Sequence, residues 1–364
     1  MKIAIRVDAS HTVGRGHLYR CLALADAFKR RGDAVFFICR AQKGDAIEWL
    51  RGRKGHDVFV LPECKEQNSP AVDTGDYRDW LKGDPGTDSL ETLEAIKQAG
   101  GADLLVIDHY ALDNDWERTV SGCVKKILVI DDLVSRKHFC DALVNPTVVD
   151  DAQACRGFVP SRCLVMTGPE YAPLRSEFLA ERINQSTKKR QGRVRDILIF
   201  PGGGDTDSFT AMLIEGIRQT RLPDARFHFV AGGDSLAIKG MIKAQLSNHH
   251  CRFYADVDNM ASLMGQMDLY LGSGGSITWE RCCLGLTGAV VSMEVNQFHF
   301  NKLLGEQGCH LFLGNRTDLG ANDITTALQG LIKNQGQMAE MSAKSIRLVD
   351  GYGAQRVVEA IHKL

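Results

Sequence analysis

The length, composition and charge of the chain already exclude several classes of protein. Its 364 residues are about twice the roughly 150 residues of a typical domain, which predicts two domains with a cleft between them. A hydrophobic fraction of 44% and a charged fraction of 24% exclude disordered and collagen-like proteins. A formal charge of −1 gives no overall field for binding nucleic acid or an anionic membrane, so any bound anion must be held locally.

The cysteines and the start of the chain indicate a cytoplasmic protein. The eleven cysteines include no CxxC pair and no zinc-site spacing, and we interpret them as reduced thiols. The first residues enter a predicted strand without a signal-type segment, and no stretch reaches the roughly 18 apolar residues of a membrane span. The Asp-x-Asp pairs at 113/115, 205/207 and 256/258 lack a further ligand at metal-binding spacing, so no metal is predicted.

Short β-rich runs alternate with helical patterns through the first half of the chain, as in a parallel sheet with crossover helices. The predicted strands are Lys2–Val7, Ala34–Cys39, Asp57–Leu61, Leu104–Ile107 and Lys126–Ile130. Apolar residues between Leu18 and Phe28 follow the period of one helix face, which predicts the first crossover helix. We assign residues 1–180 to this first domain.

A polar, basic stretch at 181–195 predicts a linker. A nucleic-acid-binding patch is the alternative, and it is disfavoured because no aromatic residues interleave with the charges. The alternation then restarts and predicts a second doubly wound domain over 196–337. Its predicted strands are Asp196–Phe200, Phe227–Ala231, Arg252–Tyr254, Leu269–Leu271 and Ala289–Met293. The segment 338–364 is predicted to be helical, with a kink or turn at the glycines of 350–353.

The segment from Asp8 to His17 joins the first strand to the first helix, a position where parallel sheets form binding sites. Gly14 and Gly16 let the backbone approach a ligand closely, and amides at a helix N-terminus favour anions. A dinucleotide fingerprint would need a third glycine where Tyr19 stands. The helix dipole disfavours a charged imidazole at His17, so this ring can accept a proton. Capping the turn or packing against the loop is the alternative role.

Two more side chains of the first half are candidates for substrate binding. Arg20 lies one turn beyond His17 and faces roughly the same way, where it can meet a diphosphate. An ion pair between Arg20 and Asp8 is the alternative. Tyr110 directly follows a predicted core strand, so it can hydrogen-bond or stack on a sugar, or it can simply pack in its loop.

Glycine-rich turns follow two predicted strands of the second half. The turn containing Gly203 frees backbone amides but lacks the Lys-Ser/Thr ending of a P-loop, so it is a phosphate-approach loop or a plain tight turn. Gly274, Gly275 and Ser276 lie between a strand and a helix, and amides near Gly275 and Ser276 are predicted to point at a phosphate. Glu280 can accept hydrogen bonds from a ribose, or it can remain a solvated helix carboxylate.

A polar cluster that contains Asn296 follows the last predicted strand and precedes another helix. The side chain of Asn296 can orient a substrate in that position. Its alternative role is that of an N-cap, for which asparagine is well suited.

Several segments together resemble one enzyme family. They are Arg6–Cys21, Asp108–Tyr110, Ile130–Leu133, Tyr171–Arg175 and Gly274–Glu280. In these segments the chain resembles the PseG hydrolases of pseudaminic acid biosynthesis, which act on UDP-2,4-diacetamido-2,4,6-trideoxy-β-L-altropyranose and are related in fold to MurG-like glycosyltransferases. The resemblance implies a GT-B fold, with two Rossmann-like domains facing a cleft. It also implies that the final helical segment can cross back onto the first domain.

The resemblance and the motifs together give a set of expected roles. His17 is expected to be the catalytic base that activates water, with Arg20, Tyr110 and Asn296 on the substrate. The expected nucleotide-binding residues are Gly14, Gly16, Gly203, Gly274, Gly275, Ser276 and Glu280. The expected partner is a UDP-sugar, cleaved with inversion by a monomer that uses neither metal nor cofactor.

The sequence leaves three other functions open. A GT-B glycosyltransferase would use the same nucleotide site with an acceptor other than water. An NADP-dependent oxidoreductase would use Gly14, Gly16 and Arg40, and the missing third glycine disfavours it. A non-catalytic binding protein would bind UDP and release no sugar.

Overall fold

A computed structural model describes residues 1–52, 55–64, 77–147, 153–185, 194–203, 206–220, 222–231, 236–247, 249–255 and 257–364. The chain forms two compact units, each built on one parallel sheet, and this confirms the predicted doubly wound α/β class. The first unit combines Met1–Arg175 with Tyr352–Leu364, and the second comprises Ser176–Gly351. Among the helices that the model describes, none is long and apolar enough to cross a membrane.

The first unit contains a seven-stranded sheet. Its strands are β1 (Lys2–Val7), β2 (Ala34–Arg40), β3 (Asp57–Leu61), β4 (Leu104–Asp108), β5 (Lys126–Ile130), β6 (Ala142–Asn145) and β7 (Leu164–Thr167). They lie in the order β3-β2-β1-β4-β5-β6-β7, and every pairing is parallel. Because β1 and β4 are neighbours with Val7 opposite Asp108, the residues that follow these two strands emerge side by side at one sheet edge.

Helices cover this first sheet. They are α1 (Gly16–Arg30), α2 (Ile47–Gly52), α3 (Pro85–Gln98), α4 (Asn114–Val120) and, from the end of the chain, α13 (Gly353–Lys363). Asp113 caps α4 by accepting a hydrogen bond from the Asp115 amide at 3.1 Å, which gives this Asp-x-Asp pair a role in the helix start. The apolar face of α13, including Val357 and Ile361, packs into the same core as α1.

The second unit contains a six-stranded sheet in the order β10-β9-β8-β11-β12-β13. Its strands are β8 (Asp196–Phe200), β9 (Arg226–Ala231), β10 (His250–Ala255), β11 (Leu269–Ser273), β12 (Gly288–Ser292) and β13 (Leu311–Asn315). Its helices are α5 (Ser176–Asn184), α6 (Asp207–Arg218), α7 (Leu236–Gln245), α8 (Met260–Gly265), α9 (Ile277–Cys283), α10 (Val295–Glu306), α11 (Ala321–Lys333) and α12 (Gln335–Leu348). Apolar residues of α6, α7, α11 and α12 pack around strand residues such as Ile197, Leu271 and Val291.

Some sequence predictions differ from these elements or lie outside them. The sequence does not predict β6 and β7, the last two strands at one side of the first sheet, or β13, an edge strand of the second sheet. The unit changes at Ser176, where α5 begins, rather than at residue 180. The first residues of the predicted linker 181–195 are helical instead, because α5 continues to Asn184. Residues 186–193 of this linker lie outside the described residues, as do Asp205 and Asp256 of the Asp-x-Asp pairs.

Candidate active site

The loop between β1 and α1 fixes the position of His17. Gly14 has a φ of +73°, in the left-handed region that glycine adopts without strain. Its amide donates to the Ser10 carbonyl at 2.9 Å, and the Val13 amide donates to the Ser10 hydroxyl at 3.1 Å. This turn leads directly into α1, of which Gly16 is the first residue and His17 the second. The structure therefore explains Gly14 by the turn it forms.

His17 is paired with a buried carboxylate at the end of β4. Its Nδ1 atom lies 2.5 Å from Asp108 Oδ1, and the Asp108 side chain is fully buried. Burial alone would raise the pKa of Asp108, but Arg20 and His17 hold this pKa well below its usual range. An ionised carboxylate only accepts hydrogen bonds, so Nδ1 carries a proton, and in the neutral ring the lone pair is then on Nε2. An imidazole held in this way can act as a general base, with the carboxylate orienting the ring.

The guanidinium of Arg20 binds two carboxylates, those of Asp108 and Asp132. Its Nε and Nη2 atoms donate to the two oxygens of Asp108, both at 2.6 Å, and its Nη1 atom donates to Asp132 Oδ2 at 2.5 Å. The alternative pairing of Arg20 with Asp8 is wrong. Asp8, the residue directly after β1, instead accepts a bidentate hydrogen bond from Arg6, which lies two residues earlier and points the same way.

Tyr110 completes the polar network around His17. Its hydroxyl donates to Asp132 Oδ2 at 2.6 Å, so Tyr110 and Arg20 share one carboxylate oxygen. Burial and the nearby Asp132 carboxylate raise the pKa of Tyr110 well above its usual value, so the phenol remains a hydrogen-bond donor. The Tyr110 ring lies edge-on to the imidazole of His17, with 4.6 Å between ring centroids. The predicted residues His17, Arg20 and Tyr110 are therefore brought together in the first unit.

Two aromatic residues that the sequence analysis did not single out also lie at His17. They come from the 3₁₀ helix Tyr77–Trp80. The Trp80 ring is 5.5 Å from the His17 ring and stacks on Tyr110 at 5.2 Å, centroid to centroid. The Tyr77 ring lies 4.9 Å from each of Trp80 and Tyr110. We call the rings of Tyr77, Trp80 and Tyr110 the aromatic wall.

A second buried network supports the loop that carries Asp132. The guanidinium of Arg136 binds Asp131 Oδ1 through Nη2 at 2.8 Å and also donates to the Tyr110 carbonyl. His138 Nδ1 is 2.6 Å from Glu117 Oε1, and its Nε2 atom is 3.3 Å from Asp131 Oδ2. Burial alone would lower the pKa of His138, but the two carboxylates raise it to about 9. His138 is therefore an imidazolium at neutral pH.

This raised pKa gives an expected pH dependence of stability. Because the pKa of His138 is higher in the folded chain than its usual 6.5, its stabilising effect is complete below pH 6.5 and is lost as the pH rises through about 9. The difference corresponds to about 3 kcal/mol. We expect His138→Gln to remove this part of the pH dependence, measured as free energy of unfolding from pH 6 to pH 9.5. Parallel curves for the two proteins would contradict the assignment.

In the second unit, the turn between β11 and α9 contains Gly274, Gly275 and Ser276. A Cβ atom added at Gly274 would lie 2.3 Å from the side-chain amide nitrogen of Asn301. The absence of a side chain at Gly274 therefore makes room for the buried side chain of Asn301. A Cβ at Gly275 would have the Gln297 amide as its nearest neighbour at 3.4 Å, an ordinary contact. Internal packing therefore explains Gly274, while Gly275 is not restricted in this way.

Asn301 links this turn to a buried arginine. Its Nδ2 atom donates to the carbonyls of Gly274 at 2.8 Å and Gln297 at 2.7 Å. Its own backbone carbonyl accepts from His310 Nε2 at 2.9 Å, and Arg281 Nη2 donates to His310 Nδ1 at 2.9 Å. Burial holds the pKa of His310 well below its usual value, so the ring is neutral and both contacts are satisfied. The chain of contacts fixes the backbone at Gly274.

The remaining candidates of the second unit lie at strand ends or on helices. Asn296 is the second residue of α10, and Glu294 occupies the N-cap position, so the N-cap role of Asn296 is wrong. Its Oδ1 atom is buried without a hydrogen-bond partner among the described residues. Glu280 lies within α9, and Gly203 directly precedes residues outside the described part of the chain. In that part, no group of three or more His, Cys, Asp or Glu side chains is arranged to hold a metal ion.

Comparison with known sequences gives two informative relatives. No protein-family model matches the chain. The chain is 26% identical over 309 residues to UDP-2,4-diacetamido-2,4,6-trideoxy-β-L-altropyranose hydrolase of Campylobacter jejuni. This match covers 85% of the present chain and 97% of the Campylobacter protein. It is also 25% identical over 297 residues to an uncharacterised protein of Methanocaldococcus jannaschii. That match covers 80% of this chain, which spans only 55% of the archaeal protein's length.

Comparison with solved structures identifies the fold. MurG of Acinetobacter baumannii matches with a TM-score of 0.63 and 15% identity, over 100% of this chain and 99% of that one. A UDP-GlcNAc 2-epimerase from Neisseria meningitidis, bound to UDP-GlcNAc, matches with a TM-score of 0.65 and 11% identity over the full length of both chains. At these identities the structures show the fold alone. The chain therefore has the GT-B fold, and its resemblance to the PseG hydrolases, which the motifs predict, is confirmed by the Campylobacter relative.

Proposed function

We propose that this chain hydrolyses a UDP-linked 2,4-diacetamido-2,4,6-trideoxy sugar to UDP and the free sugar, with inversion at the anomeric carbon. The observation that carries the proposal is the pairing of His17 Nδ1 with the ionised Asp108, which leaves Nε2 as a proton acceptor. The hydrolase name of the Campylobacter relative supports the choice of substrate.

The proposed reaction is a single displacement. The oxygen of a water molecule attacks the anomeric carbon, and one proton of this water passes to His17 Nε2. The bond between the anomeric carbon and the β-phosphate oxygen breaks, and its electron pair leaves with UDP. Because water attacks from the face opposite UDP, the configuration inverts. Asp108 stabilises the imidazolium as it forms, and Arg20 keeps Asp108 ionised.

The second unit is proposed to hold the nucleotide. Backbone amides at Gly275 and Ser276 would bind the diphosphate, with Gly203 contributing backbone, and Glu280 would accept hydrogen bonds from the ribose. Gly274, whose amide donates to the Val291 carbonyl at 2.9 Å, would position this turn rather than bind the phosphates. Asn296 would bind the sugar through the Oδ1 atom that lacks a partner among the described residues. UDP is a good leaving group, so the proposal includes neither metal nor cofactor.

The location and assembly state are part of the same proposal. We place a monomer in the cytoplasm, where thiols stay reduced.

The products of the reaction test the proposed function. We expect incubation with the UDP-diacetamido sugar to give UDP and the free sugar. NMR recorded before mutarotation should show that the anomer released first has the configuration opposite to that of the substrate. A glycosyltransferase is the second candidate, since MurG shares the fold. It would release UDP in proportion to an added sugar or lipid acceptor. Release that depends on an acceptor, or a retained configuration, would overturn the hydrolase.

A further inference from the structure

The aromatic wall gives His17 an apolar neighbour that the proposed chemistry does not use. Tyr77 and Trp80 are partly exposed, whereas the rings of Tyr110 and His17 are almost fully buried beneath them. Abstraction of a proton from water needs no aromatic ring. A partly exposed indole beside the base is instead suited to contact an apolar group of the substrate.

The backbone holds Trp80 firmly in this position. The Trp80 carbonyl accepts a hydrogen bond from Gln42 Nε2 at 3.2 Å, which ties the 3₁₀ helix to the loop after β2. The next residue, Leu81, is fully buried in the core formed by residues such as Ile107. These two contacts hold the backbone at and just after Trp80, and the rings of His17 and Tyr110 contact its indole, so the indole is preorganised beside His17.

The indole nitrogen of Trp80 is available as a donor. In the described part of the chain, no group accepts a hydrogen bond from Trp80 Nε1, and this atom is not among the buried unpaired ones. Trp116 is different, because its Nε1 donates to buried Asp88 at 3.1 Å. Buried indole N–H groups normally have such a partner. Trp80 therefore combines an apolar face with an unused donor.

We infer that Trp80 determines specificity by binding the 2-acetamido group of the sugar, with the acetyl methyl on the aromatic wall and the amide oxygen near the indole N–H. This inference rests on the proposed function, because His17 must act at the anomeric carbon. The substituent on the adjacent carbon is then the one nearest the base. An acetamido group offers both a methyl and an acceptor, whereas a hydroxyl offers no methyl to the wall.

Kinetics with a matched pair of substrates test this inference. We expect Trp80→Ala to lower kcat/KM for the 2-acetamido substrate by about 10- to 100-fold, the effect of losing a small apolar contact and one hydrogen bond. The 2-hydroxy analogue, otherwise identical, should lose less than about threefold. Trp80→Phe, which keeps a ring but removes the N–H, should give an intermediate loss. Trp49→Phe is the control, since Trp49 packs on Tyr19 outside the wall.

Equal losses for both substrates would overturn the inference, because a tryptophan that only positions His17 would affect them alike.

A second measurement, of binding, does not need turnover. In the His17→Leu background with UDP-GlcNAc as the probe, we expect saturation of aromatic protons to transfer to the acetyl methyl, and Trp80→Ala to reduce this transfer. Transfer without hydrolysis of any UDP-sugar by the parent enzyme would refute the proposed function alone. Unchanged transfer in the Trp80 variant would refute the inference alone.

Discussion

Replacing His17 with leucine is expected to lower kcat by at least about a hundredfold while leaving the affinity for UDP unchanged. A positioned general base typically contributes 10²- to 10⁴-fold, or roughly 3–5 kcal/mol of barrier. Leucine keeps an apolar contact with Tyr110 and Trp80 but has no atom that accepts a proton. The measurements are the rate of UDP release at saturating substrate and calorimetric titration with UDP.

His11→Leu is the matched control. His11 belongs to the same β1–α1 loop but is exposed, so the same substitution there should leave kcat within about twofold. If the His17 variant kept most of its turnover, His17 would be removed from the mechanism. If it instead lost UDP affinity in parallel with kcat, the substitution would have altered the nucleotide site rather than the base.

Much of the fold follows from periodicity. Buried strands such as β1 and β11 have apolar runs bounded by turn residues, so the sequence predicts them within a residue or two. The strands that it misses are short and lie at or near the sheet edges. Ala142–Asn145 and Leu164–Thr167 have four residues each, and Leu311–Asn315 is only partly buried along its length. Such segments carry too few apolar residues to stand out from a loop.

The position of the site was predictable, and the partners within it were less so. The ends of parallel strands meet at one sheet edge, so His17 and Tyr110 were expected near each other. The sequence identifies the segment Asp108–Tyr110 but gives Asp108 no role, although a carboxylate that ends an apolar strand needs a buried partner. The pairing of Arg6 with Asp8 could also be predicted from the sequence, since side chains two residues apart in an extended backbone point the same way.

Other features depend on contacts between distant segments. Trp80 and Tyr77 belong to a stretch without helix or strand period, so nothing local connects them with His17. Gly274 is among the expected nucleotide-binding residues, whereas the structure places the Asn301 amide beside the position that its Cβ would occupy. A glycine at a strand end can therefore mark internal packing, and only the three-dimensional contacts distinguish the two reasons.

The largest effect is expected from Asp108→Asn, which should lower kcat by about 10²- to 10⁴-fold. The amide has nearly the same shape but can donate to His17 Nδ1, which would place the imidazole proton on Nε2 and remove the base. The change also leaves Arg20 with Asp132 as its remaining carboxylate. Removing one partner of a buried ion pair lowers the free energy of unfolding by roughly 3–5 kcal/mol, so unfolding by denaturant must be measured alongside turnover.

Asp132→Asn separates the two ways in which Asp108 can act. Asp132 binds Arg20 and Tyr110, as Asp108 binds Arg20, but its carboxylate forms no hydrogen bond with His17. If Asp108 works by fixing the imidazole tautomer, its variant should be at least about tenfold slower than the Asp132 variant at equal folded fraction. Equal losses in kcat would mean that both carboxylates serve only to hold Arg20, and the orienting role of Asp108 would have to be abandoned.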